Sequence, residues 1–121
     1  MKKVFYSFAV LLSLFGCAVA SDTSLKGKEF NLKGTNITLI FEETENKFYG
    51  KAVNNYFGIY TLDGDNLRLE LQGSTMMMGE PQKMEQETKY FNNLNEITSY
   101  SLDANTLILK GRNLELTFEK Q

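Results

Sequence analysis

The 121-residue chain has no histidine, no tryptophan and a single cysteine, Cys17. Histidine and cysteine supply most protein ligands for zinc. Histidine is also the commonest general base, and cysteine is the most reactive nucleophile. Their absence excludes a Ser-His-Asp triad, a Cys-His nucleophile and a structural zinc site, and one cysteine cannot form an internal disulfide. Catalysis would depend on carboxylate, lysine, hydroxyl or tyrosine side chains. We expect no enzyme activity, no metal and no cofactor.

The chain also lacks a strong charge of either sign. It carries 13 basic and 15 acidic residues, and loss of the N-terminal Lys2 and Lys3 would make the remainder slightly more acidic. This balance is typical of a soluble surface and provides no electrostatic footprint for nucleic acid. One proline, nine glycines and 42% hydrophobic residues indicate a single small folded domain rather than a disordered chain.

The longest apolar run lies near the N-terminus, from Val4 to Phe15, and follows Lys2 and Lys3. A basic start, an apolar segment too short to span a bilayer comfortably and a small-residue end are typical of a signal peptide. We therefore predict a signal peptide over residues 1–20 and export to the bacterial cell envelope.

Two cleavage positions remain open. Residues 14–17, Leu-Phe-Gly-Cys, resemble a lipobox, in which Cys17 would be acylated and become the new N-terminus. Residues 18–20, Ala-Val-Ala, form an alternative site with cleavage after residue 20. We favour a lipid anchor at Cys17, because a lone cysteine in an oxidising compartment is a liability unless it is modified or removed. Anchoring predicts an outer-membrane location, and the alternative predicts a periplasmic or secreted protein.

Beyond a polar tether at residues 21–27, the apolar residues of the domain at residues 28–121 recur with a period near two. This period predicts half-buried strands. The turn residues at 62–66, 102–106 and 111–113 predict tight hairpins. We expect a mainly β (α+β) fold, an antiparallel meander or small barrel of about eight short strands. The predicted strands are at 29–32, 36–42, 48–53, 57–62, 66–71, 98–102, 106–109 and 114–118.

A single segment breaks this period. From Pro81 the spacing of Met84, Thr88, Phe91 and Leu94 places an apolar stripe along a helix of roughly 13 residues. Proline suits the first turn of a helix. We expect this helix to cover one end of the barrel or one face of the sheet, with Phe57 and Phe91 packed in the same interior.

A polar stretch before the fourth strand and the segment after the fifth are the candidate interaction loop, formed by Asn54, Asn55, Tyr56, Ser74 and Thr75. These residues could contact a ligand or partner. The favoured interpretation is structural, with Asn54 bonding backbone groups and Phe57 packing inward.

Consecutive methionines and clustered acids are two further candidates. Met76, Met77 and Met78 could bind copper or form an adaptable contact site, but we favour packing in the core and on the surface. The acids could serve as general acid and base, or the Asp63–Asn66 turn could bind calcium. The full calcium-binding loop pattern fails there, and solvated turns are the favoured interpretation. The acids are Glu42, Glu43, Glu45, Asp63 and Asp65.

Several stretches resemble the META domain family, the HslJ-like heat-shock proteins of bacterial envelopes, over about residues 27 to 119. The matching stretches are 54–64, 74–78, the helix with Met84, Glu85 and Phe91, 98–102 and 114–119. The resemblance implies a β-rich domain with little helix, an association with heat shock and envelope stress, and no established reaction.

The chain departs from the family at two cysteine positions. Many members carry Gly-Cys-Asn where this chain has residues 52–54, and Met-Ala-Cys near residues 77–79. Where both cysteines are present, they resemble a disulfide pair, so any redox role of that pair does not extend to this chain. Phe30 replaces the usual tryptophan of the first strand.

Together these observations predict a non-enzymatic, exported protein, a stress-related lipoprotein that interacts with an unidentified envelope protein or ligand. The membrane would be contacted through the anchor if Cys17 is acylated. The alternatives are an inhibitor of lysozyme and a barrel that binds a small ligand. The second alternative would require an open interior, which the Leu, Ile and Phe content disfavours.

Overall fold

The computed structural model describes residues 24–121. The predicted signal peptide, the lipobox and Cys17 lie outside these residues. Eight antiparallel strands form a closed barrel that carries one helix, which confirms the predicted fold. The elements are β1 Glu29–Leu32, β2 Thr38–Phe41, β3 Lys47–Lys51, β4 Asn55–Asp63, β5 Asn66–Ser74, α1 Pro81–Leu94, β6 Ile97–Asp103, β7 Thr106–Gly111 and β8 Leu114–Lys120.

Each strand pairs with the next in the chain. The three predicted hairpins each have a two-residue turn, at 64–65, 104–105 and 112–113, and each turn contains a residue with positive φ. The barrel closes where β8 pairs with β1 over three residue pairs, among them Phe30 with Lys120. The junction of β5 with β6 is shorter. Its register has one pair, Asn66 with Ser99, and the helix lies in the connection between these strands.

Alternate residues of the strands fill the barrel interior. Ile37, Leu39 and Phe41 are buried on one face of the β2 region, as predicted, and Leu67 and Leu69 are buried on β5. Side chains with no exposed surface occupy the centre, so burial of apolar area is the main source of stability. They are Phe30, Leu39, Phe41, Phe48, Leu67, Leu94, Leu107, Leu109 and Phe118.

The predicted orientation of β4 is wrong. Phe57 is 53% exposed on the outside of the barrel, whereas Tyr56 and Tyr60 point inward. Gly58 lies on the inward face with Tyr56 and Tyr60, where an added Cβ atom would collide with the Glu70 carbonyl oxygen and lie 2.6 Å from Cζ of Phe48. Glycine is the residue that leaves room for this ring. Phe57 and Phe91 therefore do not share an interior.

The two ends of the barrel are covered by different parts of the chain. The helix covers the end formed by the start of β4, where Tyr90 of the helix lies 5.6 Å from the Tyr56 ring. Leu25 is buried at the opposite end, where the following Gly27 N–H donates to the Phe41 carbonyl over 2.9 Å. The fold thus includes Leu25 from the predicted tether at residues 21–27. Within residues 24–121, no helix has the length and apolar character needed to cross a bilayer.

The helix has 14 residues and begins at Pro81, as predicted, but its buried face differs from the predicted stripe. Thr88 is exposed, and Glu87 is buried in its place, beside Tyr90 and Leu94. The spacing of 84, 87, 91 and 94 fits one helical face as well as the predicted spacing does. A buried carboxylate needs partners, and the partners of Glu87 define the candidate site.

Candidate interaction surface

Asn54 and Glu87 form a buried polar pair at the helix end of the barrel. Their exposed fractions are 3% and 5%. The Asn54 N–H donates to Oε2 of Glu87 over 2.6 Å, and the Asn54 amide Nδ2 donates to Oε1 over 3.0 Å. A buried carboxylate is tolerated when hydrogen bonds compensate its loss of water. This pair fastens the helix to the turn that precedes β4.

The same asparagine also holds the segment that follows β5. Its Oδ1 accepts hydrogen bonds from the Met77 N–H and from the Thr75 hydroxyl, the latter over 2.9 Å. Its Nδ2 donates to the Met77 carbonyl over 3.3 Å. Asn54 therefore ties together three parts of the chain, the turn before β4, the segment after β5 and the helix. We call Asn54, Thr75 and Glu87 the polar clamp.

Three consecutive methionines project from the segment that the clamp holds. The exposed fractions are 90% for Met76, 51% for Met77 and 88% for Met78. We call these three residues the methionine surface. They border a groove of about 240 Å³, together with Met84, Phe91 and the polar clamp.

The core packing predicted for these methionines is wrong. The barrel interior is already filled, and only six residues separate Ser74 from Pro81. A connection this short, with its middle fixed to Asn54, leaves the outer methionines in solvent. Exposed thioethers are adaptable contact groups, because methionine side chains are flexible and polarisable.

The five residues of the predicted interaction loop do lie together at this end of the barrel, because β4 and β5 are paired here and Tyr56 lies opposite Ser74. Asn54 and Tyr56 are buried, Ser74 is half-buried, and Asn55 and Thr75 are exposed. The buried members position the loop, and Asn55 and Thr75 present exposed side chains there.

Sequence analysis missed Glu87 and the exposure of the methionine surface. The signal for Glu87 was its place on the apolar face of the helix. For the methionines, the signals were the short connection between Ser74 and Pro81 and the Leu, Ile and Phe content, which already indicated a filled interior.

A pair of buried tyrosines lies under the clamp. The Tyr56 and Tyr90 hydroxyl oxygens are 2.6 Å apart, and the Tyr56 hydroxyl also donates to the Thr38 carbonyl. Burial raises the pKa of Tyr90 well above its ordinary value and raises the pKa of Tyr56 as well. Both hydroxyls therefore keep their protons at neutral pH, and their geometry joins the helix to the barrel wall.

The predicted acid clusters are on the surface. Glu43, Glu45 and Asp65 are exposed in turns and bends, Asp63 is exposed at the end of β4, and Glu42 is half-buried. Among residues 24–121, no group of three or more acidic side chains is arranged to hold a metal ion. This placement agrees with solvated turns.

The outer wall carries a second apolar feature. Tyr49 and Phe57 lie opposite each other on β3 and β4, and their exposed fractions are 43% and 53%. The Phe57 ring covers Gly73 of β5, where an added Cβ would lie 2.8 Å from the ring. This aromatic pair therefore has a local packing role that the methionine surface lacks.

Solved structures share the fold of the chain. An NMR structure of a protein from Burkholderia xenovorans has a TM-score of 0.70 and 22% identity, and the match covers 98% of this chain and 97% of that one. A DUF4847 family protein from Bacteroides vulgatus has a TM-score of 0.58 and 17% identity, and the match covers 69% of this chain and 57% of that one. The match thus spans little more than half of the Bacteroides protein. These likenesses show the fold alone.

The sequence gives a second and more specific comparison. Among proteins of curated function, none matches the chain significantly. A family model for the META domain matches residues 21–121, which include the barrel, the helix and the polar clamp. The chain belongs to the META domain family.

Proposed function

We propose that this protein is a non-enzymatic, exported lipoprotein of the bacterial cell envelope that contacts another envelope protein through the methionine surface. The association with heat shock and envelope stress comes from the family resemblance. The observation that carries the proposal is the methionine surface itself. Three consecutive apolar side chains are exposed on a segment whose backbone is fixed by a buried asparagine.

Exposed apolar side chains that lie together are a common mark of interaction sites. Flexible thioethers suit a surface that adapts to its partner. The clamp lowers the conformational entropy that the backbone would lose on binding, and preorganisation of this kind favours affinity.

The buried polar groups of the same region have structural roles. Both oxygens of Glu87 accept hydrogen bonds from Asn54, and the tyrosine hydroxyls bond to each other and to the backbone. A general acid or base needs access to a substrate. This arrangement favours a binding role over an enzymatic one, and the filled interior favours a protein partner over a small ligand held inside the barrel.

An anchor at Cys17 would attach the domain to the membrane from one end of the barrel. Eight residue steps separate Cys17 from the buried Leu25, a reach of at most roughly 29 Å. The chain leaves the barrel at the Leu25 end, whereas the methionine surface lies at the helix end. The attachment point and the methionine surface would therefore lie at opposite ends of the barrel, which would leave the surface accessible to proteins of the envelope.

Site-specific photo-crosslinking tests the proposal. A photoreactive amino acid replaces Met78 in the full-length protein, and a matched variant carries it at Thr61, which is exposed on the wall of β4. We expect irradiation of intact cells, before and after heat stress, to give a discrete crosslinked species from position 78 and not from position 61. Equal crosslinking at both positions, or none at position 78, would contradict the proposal.

A further inference from the structure

We propose that Met76 and Met78 form a reversible oxidation site that switches the methionine surface between an apolar and a polar state. The consequence for a partner rests on the proposed function, whereas the modification itself does not. The argument depends on the exposure of these two thioethers and on the polar clamp beneath them.

The methionines of the chain are distributed unevenly. Apart from Met1, all of them lie between residues 76 and 84. Their accessibility is graded, since Met76 and Met78 are about nine-tenths exposed, Met77 is half-exposed and Met84 is partly covered. Oxidation of methionine by small oxidants follows access to sulfur, so Met76 and Met78 should react first.

The reaction requires a two-electron oxidant such as hydrogen peroxide. A lone pair of the methionine sulfur attacks one peroxide oxygen, the O–O bond breaks and an S–O bond forms. The transferred oxygen becomes the sulfoxide, its proton passes to the departing hydroxide, and the second product is water. Sulfur loses two electrons and peroxide gains them, and methionine sulfoxide reductases reverse the change.

The product changes the surface without changing the fold. A sulfoxide is polar and chiral, so two of them would remove most of the apolar character of the surface. The Met77 N–H and carbonyl bond to Asn54, and the side chains on either side extend into solvent. Oxidation of Met76 and Met78 therefore removes no core packing and leaves the clamp intact.

The test uses the protein purified from envelope fractions and treated with hydrogen peroxide. Peptide mass spectrometry should find sulfoxide at Met76 and Met78 several-fold sooner than at Met84. Retention on a phenyl column should fall, the thermal midpoint should stay within about two degrees, and sulfoxide reductase should restore retention. Equal rates at Met78 and Met84, unchanged retention or a large fall in thermal midpoint would each overturn the proposal.

The matched control is a Met76→Leu, Met78→Leu double variant, which keeps the surface apolar and cannot form these sulfoxides. We expect its retention to survive peroxide. Loss of retention by this variant would show that the change arises elsewhere. Peptide mass and retention on the phenyl column are measured on the purified protein without a partner. Failure of crosslinking at position 78 would therefore contradict the proposed function and leave this test unaffected.

Discussion

At the residue scale, the clamp shows how one buried amide can organise an entire end of a barrel. Asn54 donates to a carboxylate on the helix and bonds to both backbone groups of Met77. The asparagine side chain therefore replaces strand hydrogen bonds that the irregular segment after β5 cannot make. Stability and presentation of the methionine surface depend on the same side chain.

Asn54→Ala should lower the free energy of unfolding by about 1–3 kcal/mol, because it removes the side-chain donor to Oε1 of Glu87 and the side-chain partners of the Met77 backbone. The backbone N–H of residue 54, which donates to Oε2 of Glu87, is retained. Chemical denaturation measures the change. The matched control is Asn55→Ala at the exposed neighbouring position, where a loss within about 0.5 kcal/mol is expected. Similar losses at the two positions would show that the clamp contributes little.

The buried tyrosine pair predicts a loss of stability at high pH. The folded-state pKa of Tyr90 is raised above its unfolded value near 10. The contribution of protonated Tyr90 to the free energy of unfolding is therefore complete below about pH 10 and is lost as the pH rises toward the folded-state pKa. Above pH 10 each such tyrosine adds up to about 1.4 kcal/mol of destabilisation per pH unit. Denaturation from pH 7 to 11 should therefore show a shallower loss for Tyr90→Phe than for wild type. Parallel curves would exclude this role for Tyr90.

At the element scale, the helix contributes to the core through one face and to the clamp through a single acid on that face. Phe91 is half-buried, and its ring lies 5.4 Å from the ring of Tyr56 on β4. The helix therefore acts as a packed cover over this end of the barrel rather than as a loose appendage.

Phe91→Ala should destabilise the domain by about 2–3 kcal/mol, below the roughly 3–5 expected for a fully buried phenylalanine. Phe57→Ala is the matched comparison, since Phe57 is mostly exposed and should lose about 1 kcal/mol or less with its cross-strand contact. The thermal midpoints of the two variants give the ranking. A larger shift for Phe57→Ala would reverse the assignment of the core.

The elements themselves were predictable because period-two alternation and turn residues are local signals. The inward face of β4 was not. Alternation shows that Phe57 and Ile59 share a face, but it does not show which face points inward. That depends on how the strand packs in the barrel, where Gly58 leaves room for the Phe48 ring of the neighbouring strand. For the same reason, one part of the candidate site was predictable from the sequence and another was not. Asn54 stood out in the sequence, whereas burial of Glu87 depends on where the helix is placed.

At the scale of the whole molecule, the predicted anchor at Cys17 would determine where in the cell the barrel is located. Cys17→Ser should release the protein from the membrane fraction into the soluble envelope fraction, because the acylated thiol would supply the attachment. Fractionation of cells with immunodetection measures the shift. Mass spectrometry of the wild type provides the decisive comparison, since a mature chain that begins at an unmodified Ser21 would refute lipidation.

The unequal junctions of the barrel have a consequence for how the chain reaches its native state. Most pairings join strands that are neighbours in sequence, and among these β5 and β6 share a single residue pair. The pairing of β1 with β8 instead joins strands near opposite ends of the described chain. Loops that close over a long stretch of chain lose the most entropy, so the local hairpins should form first and the β1–β8 closure last. In pulse-labelled hydrogen exchange during refolding, we expect amides of the β7–β8 hairpin to gain protection before those between β1 and β8. Simultaneous protection would instead mean that closure and hairpin formation are one cooperative event.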